Sequence, residues 1–130
     1  KLKLYSLASL KKINTDFAEF ENIEAKMSVD KSNQQQLKLK IKKVKPIGEW
    51  MGMVSLWEPS LKLLETYTGV QLQMSHQGDG GEWKLTTQNQ WSSKGQWKDS
   101  NQIHGEILSS DNSWEIYGSK NEPRIKQIKD

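Results

Sequence analysis

The sequence predicts an α+β domain, with an N-terminal amphipathic helix and a second short helix packed on one antiparallel sheet of about four to five strands. Three observations predict it. Apolar residues near the N-terminus recur at steps of three and four. Two later stretches alternate apolar and polar residues on both sides of a polar turn. Between these regions lies a short helical pattern bounded by capping residues.

The first helix is expected over residues 1–30. Leu7, Leu10, Ile13, Phe17, Phe20 and Met27 form a seam, with Ile23 close to the same line. That spacing keeps one stripe facing a partner, either as a coiled-coil stalk or as a helix lying on the domain's own sheet. Charged residues such as Lys11, Lys12, Glu19 and Glu24 take the other faces. The polar run Asp30–Gln36 ends the helix. In "LKLKIKKVK", Leu37, Leu39 and Ile41 alternate with lysines, as in a half-buried strand, although Leu37, Ile41 and Val44 would also suit a helix.

A helix from about Ser55 or Glu58 to Thr68 follows the turn-forming Pro46 and Gly48. Ser55 and Glu58 have capping-box spacing, Pro59 suits a first turn, and Gly69 is placed as a C-terminal cap. Then come two hairpins. Val70, Leu72 and Met74 lead into "HQGDGG", and Trp83 and Leu85 lead out. Ile103 and Ile107 lead into "SSDNS", and Trp114 and Ile116 lead out. The glycines read as a hairpin turn, because positive φ favours glycine and a phosphate cradle would precede a helix. The stretch between the hairpins, with Trp91 and Trp97, reads as a polar loop or bulged edge. One domain is expected, with a core over residues 37–122 and a frayed tail or short strand over 123–130.

The 130 residues are enough to bury a core without a metal or disulfide clamp. A hydrophobic share of 34% points to a thin core, while six tryptophans argue against disorder. With no cysteine, disulfide scaffolds, thiolate zinc sites and cysteine nucleophiles are excluded. His76 and His104 are the two histidines, on strands of different hairpins, and no third metal ligand is evident. No nucleophile motif, phosphate loop or calcium loop is present. We therefore expect no catalytic residue, no cofactor, no metal and no small-molecule substrate, and read the chain as a non-enzyme.

Two groups of residues are candidates for interaction. Trp91 and Trp97 lie among polar neighbours and suit stacking on sugars or bases, or anchoring a protein interface, unless they only cover the rim of the core. Lys38, Lys40, Lys42, Lys43 and Lys45 form a basic run, in a segment with no acidic residue between Asp30 and Glu49. Such a run suits an anionic membrane surface or a nucleic-acid backbone, or is simply the solvated face of a strand.

The order of elements, with Trp50, the expected helix Leu56–Tyr67, the strand Val70–Met74 and Trp83-Lys84-Leu85, resembles the periplasmic ferredoxin-like domain of inner-membrane platform proteins of type IV pilus and type II secretion systems. The resemblance covers residues 7–87 and is one of pattern. It implies a non-enzymatic assembly role, with protein subunits of the same assembly as partners, a second copy of the chain among them. It also implies a periplasmic location. The chain starts at Lys1 rather than Met, as a trimmed or processed product does, and the resemblance allows a tether to the inner membrane in a segment before it. The alternatives are a tryptophan-based module for carbohydrate or nucleic acid, and a basic domain docking on a membrane surface.

Overall fold

A computed structural model describes residues 4–16, 18–47, 65–99, 102–119 and 121–128, with side chains from residue 9 onward. Among them the chain is all β. The strands are β1 (Leu4–Asn14), β2 (Ala18–Val29), β3 (Gln35–Pro46), β4 (Tyr67–Gln77), β5 (Gly80–Thr86), β6 (Ser92–Lys98), β7 (Gln102–Leu108), β8 (Ser113–Gly118) and β9 (Pro123–Gln127). They form one antiparallel sheet whose strand order is the chain order, β1 to β9.

This corrects the expected α+β class and the ferredoxin-like fold. The N-terminal helix expected over residues 1–30 is instead the β1–β2 hairpin, paired from Leu4↔Val29 to Asn14↔Glu19. Its apolar seam has a different origin. Leu10 and Ile13, Ile23 and Phe20, Ile41 and Val44, and Val70 and Tyr67 are each three residues apart on four successive strands. The same step falls at the same level of the sheet each time, where Lys11, Asn22, Lys42 and Gly69 interrupt the ladder. Two of these residues have left-handed backbone, Asn22 at φ 52° and Gly69 at φ 56°. A step of three would send a regular strand's next apolar residue to the wrong face. Here the local twist restores it, and the rows Leu10–Ile23–Ile41–Val70 and Ile13–Phe20–Val44–Tyr67 continue one apolar surface. Steps of three on a strand mimic the helical period.

The second expected helix lies mostly outside the described residues. Its C-terminal part does not fit, since Tyr67 and Thr68 open β4, and Gly69 lies inside that strand rather than capping a helix. The strand expected over Leu37–Val44 is β3. Both expected hairpins are present as β4–β5 and β7–β8. The loop expected around Trp91 and Trp97 is largely β6, an inner strand bonded to β5 and β7. The expected tail contributes β9.

Turns follow local chemistry. At the β2–β3 connection the Asp30 carboxylate accepts hydrogen bonds from Ser32 N (2.9 Å), Ser32 Oγ (2.7 Å) and Gln34 N (3.0 Å). The β4–β5 turn is Gly78-Asp79, with positive φ (59°) at Gly78. Glycine is favoured at the first central position of this hairpin turn. Gly80 and Gly81 belong to β5.

Candidate interaction site

Strand alternation gives the sheet two chemically distinct faces. One face collects Met27–Leu37–Met74–Trp83 in one row and Ala25–Leu39–Leu72–Leu85 in the next. Its deepest residues are Trp114 and Ala18, each 2% exposed, with Ile23 and Val70 also buried. Across the sheet Trp83 is level with Ile116, and Leu85 with Trp114. The two W-x-[L/I] segments therefore lie head to tail, because β5 and β8 run in opposite directions.

The indoles are seated by missing side chains. Gly95 and Gly105 follow Trp83 in its row, and a Cβ on either would collide with the Trp83 ring, for Gly105 at 2.5 Å. Gly81 lies between His76 and Trp97 in the adjacent row, and a Cβ there would collide with the Trp97 ring. The imidazole and indole stack across that gap with centroids 6.2 Å apart. Trp97 also stacks on Trp83 at 6.4 Å. The Trp83 Nε1–H donates to Ser93 Oγ (3.0 Å), which donates to the Glu106 carbonyl (2.8 Å).

Trp91 belongs to a second aromatic group, stacked on Trp114 at 5.5 Å and edge-on to Tyr67 at 6.5 Å. Thr87 holds the loop that carries it. The Thr87 hydroxyl donates to the Trp91 carbonyl (2.9 Å) and accepts from the Asn89 and Trp91 amides (both 3.2 Å). Asn89 extends the ladder with its side chain, accepting from Thr68 N (2.8 Å) and donating to the Thr66 carbonyl (3.1 Å). Burial pushes the Tyr67 hydroxyl up to about 12, and the Glu65 carboxylate adds to the shift. That hydroxyl has no hydrogen-bond partner among the described residues.

Trp91 and Trp97 thus share the apolar face with the core tryptophans and are half-buried there. The five candidate lysines are all exposed on β3. Lys38 and Lys40 lie on the opposite, polar face, and Lys43 forms an ion pair with Glu21 (3.8 Å). His76 and His104 are not brought together. His76 is in the apolar rows, whereas His104 is exposed on the polar face, 3.8 Å from Glu115. Among the described residues no three His, Cys, Asp or Glu side chains form a metal-sized group, and no helix is long and apolar enough to cross a membrane.

The site that sequence reasoning missed is a trough of about 860 Å³ on the polar face. Its walls are two adjacent polar rows, one running Gln36–Ser75–Glu82–Gln96–His104 and the other Lys38–Gln73–Lys84–Lys94–Glu106–Glu115. Side chains of the row between them leave from the other face, so the floor is backbone. A cavity walled by one face of six successive strands requires that face to be concave. Lys94 pairs with Glu106 (3.6 Å) and Lys126 with Glu115 (3.5 Å), so the carboxylates at the β7–β8 end are matched by lysines, while Glu82 on β5 is in no ion pair among the described residues. No ion pair engages Lys38, Lys40 or Lys84 among the described residues. Only pairing register reveals this grouping, since its residues come from separate alternating segments.

Comparison with family models, with curated proteins and with solved structures finds no match for this chain.

Proposed function

We propose that the chain is a non-catalytic interaction module that joins a larger assembly through the open edge of its sheet. The observation that carries this reading is β1. It is 11 residues long, contains no proline, and has no strand on its outer side among the described residues. Natural sheets usually blunt such an edge with short strands, proline or charge. The other edge follows that rule more fully, since β9 has 5 residues and includes Pro123, Arg124 and Lys126, whereas the charge on β1 is confined to Lys11 and Lys12 toward its end. Leu10 adds a recognition element, a large apolar side chain 49% exposed at the β1 edge. A strand laid along β1 would extend both the ladder and the apolar face.

The partner we propose is a sister subunit or a second copy of the chain, and a pilus or secretion complex in the bacterial periplasm is the setting, on the sequence pattern alone. Sedimentation of the chain, with and without a candidate sister subunit, tests it. We expect concentration-dependent association, with slowed hydrogen exchange at β1 amides in the complex. Leu10→Asp is expected to weaken it at least about tenfold, or about 1.4 kcal/mol, whereas Ile128→Asp is expected to leave it unchanged. Association that leaves β1 amides exchanging as in the free chain would refute the edge as the contact.

A further inference from the structure

We infer that the polar trough is a binding site for an extended acidic polysaccharide, lying across the strands with its carboxylates over Lys38 and Lys84. Charge provides the first argument. Lys38 and Lys84 share one row of the trough wall, and Lys40 is one row further along β3, beyond the trough lining and opposite Glu24 of β2. All three are exposed, and none is engaged in an ion pair among the described residues. Strands are about 4.8 Å apart, so Lys38 and Lys84, two strands apart, are set about 10 Å from each other. One strand spacing is comparable to the length of one sugar ring in a chain, and carboxylates on alternate rings would meet both ammonium groups.

The neutral groups provide the second argument. Gln36, Gln73, Gln96 and Ser75 interleave with the lysines along the same walls. Each amide both donates and accepts, which suits sugar hydroxyls. Shape and the placement of aromatics provide the third. A concave wall does not follow a flat bilayer, and all the described tryptophans of the sheet belong to the apolar rows, so nucleobases find no stacking platform in the trough. Carbohydrate recognition is thereby moved away from Trp91 and Trp97 to the opposite face. At the β7–β8 end the carboxylates of Glu106 and Glu115 are held by Lys94 and Lys126. Glu82 on β5 belongs to the other wall row, so the ligand's carboxylates follow the row of Lys38, Gln73 and Lys84.

Isothermal titration with tetragalacturonate as the probe tests this directly. The expected result is saturable binding at least tenfold tighter than for cellotetraose, tetraglutamate, a short oligothymidylate or anionic phospholipid vesicles. Binding should fall at least tenfold in the Lys38→Glu/Lys84→Glu pair, and severalfold in the milder Lys38→Gln and Gln73→Ala variants. Lys45→Glu, on the same strand but outside the trough, should bind as the parent does. The proposal is overturned by no binding, by equal binding of any of the four comparison probes, or by binding that survives both Lys38 variants. Self-association through β1 is read separately by sedimentation, so either proposal can fail alone.

Discussion

At Gly95 and Gly105 the protein uses the absence of a side chain as a packing device. The Trp83 ring occupies the space a Cβ would take on the next two strands. Gly95→Ala must therefore displace an indole whose Nε1–H is fixed to Ser93. Overpacking of this kind costs about 1–3 kcal/mol, which a urea titration would register as a lower midpoint. Tyr67 makes a pH-dependent contribution. Its hydroxyl ionises near 12 in the folded chain against 10 for the ordinary value. Its share of stability is fully present below pH 10 and is lost as pH rises through 12. Tyr67→Phe should remove that loss, so the parent and variant denaturation midpoints diverge between pH 10 and 12. At neutral pH the variant should be equal or slightly more stable, because a buried unsatisfied hydroxyl is removed.

The element scale shows why β3, β4, β5, β7 and β8 were legible and β1, β2 and β6 were not. In β4 and β5 the residues Leu72, Met74, Trp83 and Leu85 alternate without interruption, and alternation is what sequence inspection detects. In β1 and β2 the phase shift around Lys11 and Asn22 breaks that alternation and replaces it with steps of three. Nothing in one strand taken alone marks the shift; it becomes intelligible only when four strands are aligned. β6 was hidden for another reason. Its inward positions Ser93 and Gly95 are small so that Trp83 fits above them, so the strand alternates in available space rather than in hydrophobicity. The trough was illegible because its walls are assembled from six strands. The phase shift itself can be tested at Asn22. A β-branched residue is strained at φ 52°, whereas glycine is not. Asn22→Val should cost about 1–2 kcal/mol, and Asn22→Gly should stay within about 0.5 kcal/mol, both read from denaturation midpoints.

At the scale of the whole molecule, the two faces divide the work. The apolar face gathers the described tryptophans, and the polar face is left to hydrogen bonding and charge. Composition foreshadowed this arrangement, since a third of the residues being hydrophobic is enough for one covered face rather than two. The strand order carries a further consequence. Because each described strand pairs only with its predecessor and successor among the described strands, none of these pairings waits for a strand from further along the sheet. During synthesis on the ribosome, each newly emerged strand meets a neighbour that is already outside the exit tunnel, and the sheet can grow at the pace of translation.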